Sequence, residues 1–242
     1  MFKGNKFSIV YLLLPILFFQ IFLWSLNCKD QTRFRGIPPF KNRHDLGDIL
    51  FEEGKTKGVE LGVQQGKYAS RILEKWKNCG EYVLVDLWKS QDNYLDIANI
   101  DNDKQEKNYQ ETLRRVKPYR DRTKIGVCRD YTTNCRHSYK DDYFDFVYVD
   151  ARHDYKGVLI DMEQWWTKLK DDGLFCGHDF MTADEVKWTK QDWSKNFDGT
   201  VDPQGRAVKG AVLEFADKVG RQITVSYRER KGNNWNTWCI RK

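Results

Sequence analysis

Short apolar segments that end in glycine or acidic residues recur along this chain, with helical patterns between them, among them a polar one over about 92–117. These segments cover residues 58–62, 82–88, 124–128, 146–150 and 173–180. Strands that alternate with helices form a parallel sheet covered by helices on both faces. Two later apolar segments, 222–229 and 236–242, have no room for a helix between them and predict a hairpin. The expected fold class is therefore α/β, a Rossmann-like doubly wound sheet of five parallel strands plus a C-terminal antiparallel hairpin.

The N-terminus has a different pattern. Residues 7–26 are almost wholly apolar, and a span of about 20 such residues can cross a bilayer as a helix. The residues at the C-terminal end of this span, "LWSLNC", lack the small residues of a signal-peptide cleavage site. We therefore predict a short basic N-terminus over 1–6, a transmembrane signal-anchor over 7–26, a juxtamembrane linker over 27–44 and a folded domain over 45–242. This predicts a single-pass membrane protein, and the sequence leaves open whether the domain faces the lumen (Golgi/ER) or the cytosol.

Charge and cysteine content exclude some classes of function. The formal net charge is +6, but lysine and arginine are scattered among acids, so we expect no nucleic-acid partner. The six cysteines form no CxxC pair and no metal-ligand spacing. Cys128 and Cys135 either bridge in an oxidising compartment or remain thiols, and the sequence does not decide between these alternatives.

The first strand leads into a glycine-containing turn, "VELGVQQGKYA", in which Glu60, Gly62 and Gly66 are spaced E-x-G-x-x-x-G. Glycine lets a backbone approach a ligand closely, and the N–H groups at a helix start are hydrogen-bond donors. Asp86 ends the second strand, where a carboxylate accepts hydrogen bonds from ribose hydroxyls. The pattern predicts a nucleoside-containing cofactor. It is neither a P-loop nor the G-x-G-x-x-G of dinucleotide oxidoreductases.

A second group of polar residues follows the fourth and fifth strands. Asp150 ends the fourth strand, and His178 and Asp179 end the fifth. Neighbouring parallel strands bring these ends together, so the three side chains are candidate ligands of Mg²⁺ or Mn²⁺. His153 starts the next helix and is a candidate general base, with a neutral imidazole near pH 7. The alternative is ordinary turn chemistry, since aspartate is common at strand ends.

Together these motifs resemble the class I S-adenosylmethionine-dependent methyltransferases. The "VELGVQQGKYA" turn, the "LVDLW" strand end and the order of elements carry the resemblance from about residue 45 to 242. It implies S-adenosyl-L-methionine as cofactor. It also implies one set of cofactor-binding residues: Glu60, Gly62, Gly66, Asp86 and Asp130.

The stretch "VDARHDYKGVLIDMEQWWTKLKDDGLFCGHDF" is similar to one branch of that superfamily, the macrocin and catechol O-methyltransferase-like enzymes. This resemblance implies O-methylation of a sugar or small-molecule hydroxyl, possible assistance by a divalent metal, and catalytic roles for Asp150 and His153. By the same resemblance, Asp150 and Asp179 would bind metal. His178 stands where relatives have an acid or another ligand.

The acceptor side is less defined. Residues 181–209 form a polar excursion after the fifth strand, with Trp188, Trp193 and Phe197 along it. Such an excursion is either a substrate-binding insertion or a loop whose aromatic residues pack on the body. Two other functions stay open, a non-catalytic cofactor-binding domain and an NAD-type oxidoreductase.

Overall fold

A computed structural model describes residues 36–227 and 235–242 of the chain. From Ile37 to Lys242 they belong to one compact unit. Phe40, within the segment predicted as a linker, is buried in its core.

The described residues form one sheet in the order β3-β2-β1-β4-β5-β7-β6. β1 to β5 are parallel, and β7 pairs antiparallel with both β5 and β6. The predicted sheet of five parallel strands plus an antiparallel hairpin is confirmed. The strands are β1 Lys57–Leu61, β2 Glu81–Val85, β3 Lys124–Cys128, β4 Phe144–Val149, β5 Leu169–Gly177, β6 Ile223–Val225 and β7 Trp238–Arg241.

Helices connect these strands. The α-helices are α1 Leu46–Glu52, α2 Lys67–Lys75, α3 Asn102–Val116, α4 Thr132–Cys135, α5 Tyr155–Trp166, α6 Ala183–Val186 and α7 Ala207–Lys218. Single 3₁₀ turns are η1 Arg43–Asp45, η2 Lys117–Tyr119, η3 Arg136–Ser138 and η4 Lys187–Thr189.

Side chains that alternate along each strand build two cores, one on either face of the sheet. On β4, Val147 packs in the core that contains α5 and α7, and Tyr148 packs in the core that contains α1 and α2. β4 is buried along its whole length. Because both faces of the sheet are covered, ligands have access to it at the strand ends.

The segment between β2 and α3 differs from the prediction. The sequence predicts a helix over about 92–117, but the helix begins at Asn102, and the preceding residues form a loop. Asp101 caps α3 by accepting a hydrogen bond from the backbone N–H of Lys104, and such a cap starts a helix. Turn-forming residues, among them Asn93 and Asn99, precede the cap and favour a loop.

Two disulfides stabilise the domain. Cys128–Cys135 joins the end of β3 to the end of α4, which settles the alternative left open by the sequence. Cys176–Cys239 joins β5 to β7 and was not predicted. These residues are directly paired in the sheet register, and this pairing brings the two cysteines together.

The prediction of an N-terminal transmembrane helix, and with it of membrane localisation, is corrected. Among residues 36–227 and 235–242, no helix is long and apolar enough to cross a membrane. The longest helix in this part, α3, has 15 mostly polar residues, whereas a span needs about 20 apolar ones. The predicted span itself, 7–26, lies outside the described residues.

Candidate functional site

A cavity of about 600 Å³ opens where the parallel strands end. Its wall includes Gly62 after β1, Asp86 after β2, Asp130 after β3 and Asp150 after β4. β1 and β4 are neighbours at the point where the strand order reverses, and open α/β sheets bind ligands at that point. Four of the predicted site residues therefore line one cavity.

The turn after β1 passes very close to the end of β4. Gly62 has a φ of 84°, and a Cβ added to it would lie 2.0 Å from the carbonyl oxygen of Asp150. Only glycine fits both the left-handed backbone and this approach. Gly62 therefore brings the two strand ends together at the cavity.

The structure does not bring Gly66 or Glu60 to the cavity wall. Gly66 (φ 67°) packs on α3, where an added Cβ would lie 3.0 Å from Thr112 Cγ2. Glu60 is buried inside the sheet, and Tyr82 Oη donates a 3.0 Å hydrogen bond to its Oε2. Burial raises the pKa of Glu60 well above its usual range. These contacts hold Glu60 and Gly66 within the fold, and their role in cofactor binding stays a prediction.

Asp86 fixes the glycine turn. Its Oδ2 accepts hydrogen bonds from the backbone N–H groups of Val63 and Gln64, both at 2.8 Å, and its Oδ1 accepts from Trp88 N at 2.7 Å. Burial raises the pKa of Asp86, and the three N–H donors oppose that shift. A carboxylate has about four acceptor positions, so capacity for a ligand hydroxyl remains.

Asp130 stands at the start of the loop after β3. Its Oδ1 accepts hydrogen bonds from the backbone N–H of Tyr131 at 2.7 Å and from Asn134 Nδ2 at 3.1 Å. These bonds shape the loop that leads into α4. The carboxylate lines the cavity while it holds the loop.

Beside the cavity, Asp150, His153 and Asp179 each direct a potential ligand atom to one point, and these atoms lie within 4.8 Å of one another. His153 Nε2 is 3.2 Å from Asp179 Oδ2 and 3.5 Å from Asp150 Oδ1. In the described part of the chain this buried Nε2 has no hydrogen-bond partner. The adjacent ends of β4 and β5 account for the convergence, as the sequence predicted.

His178 is not in this group of ligand atoms. Its Nδ1 lies 2.6 Å from Asp179 Oδ1, so its ring holds the neighbouring carboxylate. Burial opposes ionisation of Asp179, but His178 and His153 hold its pKa at about 2. Asp179 has a φ of 56°, an unfavourable backbone that often marks functional positions.

The structure adds Asp96, which was not predicted, and a contact of Trp193, which was named only as an aromatic residue of the acceptor excursion. His153 Nδ1 lies 2.9 Å from Asp96 Oδ2, and Trp193 Nε1 donates to the same oxygen at 2.8 Å. Burial opposes the protonated imidazole, but the Asp96 carboxylate, with Asp150 and Asp179, raises the pKa of His153 well above its usual value. The neutral imidazole expected from the sequence is therefore not favoured here. A helix prediction over Asp96 concealed its role.

Arg43 also reaches the site from the segment predicted as a linker. Its Nη1 donates a 3.3 Å hydrogen bond to Asp150 Oδ2, and both side chains are partly exposed. In the acceptor excursion, Trp193 is buried, whereas Trp188 is 65% and Phe197 43% exposed. Phe197 lines the cavity. Trp193 thus packs on the body, as one alternative expects, whereas binding of substrate by this excursion stays a prediction.

Comparison with known proteins identifies similar sequences and folds. Residues 59–180, half of the chain, match a family described as a methyltransferase domain. No curated protein matches the sequence. An O-methyltransferase from Bacillus cereus in complex with SAH has a TM-score of 0.54 at 12% identity, over 90% of this chain and 88% of that one. The O-methyltransferase TomG from Streptomyces achromogenes, in complex with SAM, has a TM-score of 0.53 at 11% identity, over 83% and 79%. At these identities the structural likeness establishes the fold.

Proposed function

The chain belongs to this methyltransferase-domain family and is a class I S-adenosylmethionine-dependent methyltransferase, and from this premise we propose that it methylates a hydroxyl group of a sugar or another small molecule. The acceptor oxygen would attack the methyl carbon, the carbon–sulfur bond would break, and S-adenosylhomocysteine would leave. The hydroxyl proton needs a recipient, and His153 is the candidate.

The cavity supports a defined arrangement of the cofactor. Asp86 would accept a hydrogen bond from a ribose hydroxyl, and the backbone at Gly62 leaves room for close approach. Asp130, at the β3 end of the wall, would lie near the base. The methyl group would then be directed toward the Asp150 end, where positioning of the two reactants supplies much of the rate.

The Asp150, His153 and Asp179 side chains fit a divalent cation. Their donor atoms converge within 4.8 Å, and His153 Nε2 is buried without a hydrogen-bond partner among the described residues. Asp150 and Asp179 would hold the ion, and two carboxylates suit Mg²⁺ or Mn²⁺. A bound cation would lower the pKa of an acceptor hydroxyl and offset the charge of the two carboxylates.

We propose His153 as the general base of the metal-bound site, where a cation held by Asp150 and Asp179 would offset two of the three carboxylate charges that favour its protonated form. Its Nδ1 faces Asp96, which leaves Nε2 directed at the point where Asp150 and Asp179 meet. A base must be within hydrogen-bond reach of the proton that it accepts, and an acceptor bound at this point meets that requirement. His178 would act indirectly, through its contact with Asp179.

The convergence of Asp150, His153 and Asp179 beside the cofactor cavity carries this proposal. The test incubates the protein and S-adenosylmethionine with catechol and monosaccharide acceptors, with and without Mn²⁺, and measures S-adenosylhomocysteine by mass spectrometry. We expect turnover that H153A reduces at least 100-fold. The matched control is H137A, at an exposed histidine away from the site. Cofactor binding without product from any acceptor would instead support a non-catalytic domain.

Calorimetry with Mn²⁺ separates the roles at the site. We expect the D150N and D179N variants to lose the metal signal and H153A to keep it. Loss of the signal in H153A would make His153 a ligand and not a base. Mn²⁺ binding that survives the double variant D150N/D179N would contradict the metal site.

A further inference from the structure

A buried carboxyl in the cavity wall has no part in the chemistry proposed above. Asp161, on α5, is 4% exposed and lines the cavity. Its Oδ1 accepts a 2.5 Å hydrogen bond from Thr132 Oγ1, at the start of α4. α4 follows β3, which is three strand positions from β4. Asp161 therefore belongs to the β3 end of the cavity, away from the Asp150 cluster.

The fold offers little that stabilises a charge on Asp161. Within residues 36–227 and 235–242, no basic side chain forms an ion pair with it. The charged groups that act on it are Asp154, which disfavours ionisation, and Arg152, which favours it more weakly. Burial raises the pKa of Asp161 to about 7. A buried carboxyl without a charged partner costs free energy unless donors satisfy it, and the cavity is where such a donor can come from.

The cavity wall near Asp161 also has apolar groups. Gly157 and Ile160 line the same cavity, and Gly157, four residues before Asp161, shares its face of the helix. Gly157 adds no side chain to this face, and Leu87 contributes a second apolar group from the β2 end. Ile160 and Leu87 thus give this polar cavity apolar surface that a ring can contact, with the Asp161 carboxyl in the same wall.

We propose that Asp161 recognises the exocyclic amino group of the cofactor's adenine, with a carboxyl oxygen accepting a hydrogen bond from the N6 amino hydrogen. This inference rests on the proposed function, because Asp86 would hold the ribose one strand away from β3. A base attached to that ribose extends toward the Thr132–Asp161 pair. A purine with hydrogen in place of the amino group would leave that carboxyl oxygen without this donor. Asp161 thus favours a nucleoside whose base carries the amino group.

The test compares two ligands by calorimetry on the full chain: S-adenosylhomocysteine and its 6-deamino analogue, in which hydrogen replaces the amino group. We expect the wild type to prefer S-adenosylhomocysteine by tenfold or more, the scale of an unmade buried hydrogen bond. D161A loses that preference, because it binds S-adenosylhomocysteine as weakly as the analogue. D161N, which keeps an acceptor oxygen and the side-chain shape, keeps part of the preference. I160V is the matched control in the same wall, and it weakens both ligands by the same factor.

The outcomes separate this proposal from the proposed function. A wild type that binds neither ligand overturns the assigned cofactor. Binding of both ligands with equal affinity by the wild type overturns the role of Asp161 without any variant. A tenfold preference that D161A retains overturns it as well.

Discussion

At the residue scale, two separate features require glycine at position 62, and their effects on the free energy of unfolding can be measured separately. Its positive φ disfavours any Cβ, and its contact with the Asp150 carbonyl leaves no room for one. Gly54 has a similar φ, 68°, but an added Cβ there meets nothing within 4 Å. A substitution at Gly54 therefore measures only the cost of a side chain in the left-handed backbone conformation.

We expect Gly54→Ala to lower the free energy of unfolding by about 1 kcal/mol, the cost of a left-handed backbone. Gly62→Ala should lower it by about 3 kcal/mol or more, because overpacking adds to that cost. Urea unfolding of the two variants measures the difference. Equal losses would mean that the β1 turn moves away from β4 without penalty.

The buried carboxyl of Asp161 predicts a pH dependence of stability. Its folded pKa of about 7 lies above the ordinary value of 3.8, so the folded state binds a proton that the unfolded chain releases. The contribution of this proton to stability is complete below about pH 4 and is lost as the pH rises to about 7. The amide that replaces the carboxyl in D161N cannot ionise, so this variant has no such loss.

When the pH is raised from about 4.5 to about 8, we therefore expect the free energy of unfolding of D161N to rise relative to that of the wild type. The rise is on the order of 3 kcal/mol. Urea unfolding of both proteins at the two pH values, without ligand, measures this gain. A difference between the two proteins that does not change with pH would show that Asp161 is ionised throughout.

At the element scale, the Cys128–Cys135 disulfide closes the loop that carries Asp130 and Thr132. Removing it as the C128S/C135S double variant should lower the free energy of unfolding by about 2.5 kcal/mol, from the entropy of a short loop. It should also weaken S-adenosylhomocysteine binding severalfold, because this loop lines the cavity. Calorimetry on the variant tests this. Unchanged affinity would mean that the loop keeps its shape without the bridge.

Secondary structure was predictable where it depends on local patterns. The strands have strong apolar patterns, and the β3 prediction, 124–128, agrees with the observed strand at both ends. Parallel neighbours then bring Asp150 and Asp179 together by topology alone. The loop before α3 was missed because its many polar residues suit a solvent-exposed helix as well as a loop, although Asn93, Asn99 and the capping Asp101 favour the loop. The contact between Asp96 and His153 depends on this loop and was missed with it.

The roles of the residues in the glycine turn after β1 were only partly predictable, for a different reason. The spacing of Glu60, Gly62 and Gly66 indicates a turn, but it does not show which side chains face the cavity. Burial decides that point, because the sheet encloses Glu60 and α3 covers Gly66. Asp161 was invisible for a similar reason, since its helix gives no sign that one polar residue faces a cavity.

At the scale of the whole molecule, the Cys176–Cys239 disulfide links residues 63 positions apart. The loop-entropy relation gives about 4 kcal/mol for a loop of this length, so we expect C176S/C239S to lose about that much. Guanidinium unfolding measures the loss. S-adenosylhomocysteine affinity should stay within about twofold of the wild type, since neither cysteine lines the cavity. A large loss of affinity would show that the pairing of β5 with β7 affects the cofactor site.

The same disulfide sets an order of events during biosynthesis. Its second cysteine lies on β7, which follows the other six strands of the described sheet in the sequence, although β7 lies between β5 and β6 in that sheet. The sheet therefore cannot close, and this bond cannot form, until the other six strands have left the ribosome. Until then Cys176 is a thiol on an unpaired strand edge, exposed to wrong partners. A chain truncated before residue 238 lacks the disulfide partner of Cys176 and the strand that pairs with β5 and β6, and it should therefore fail to complete the sheet.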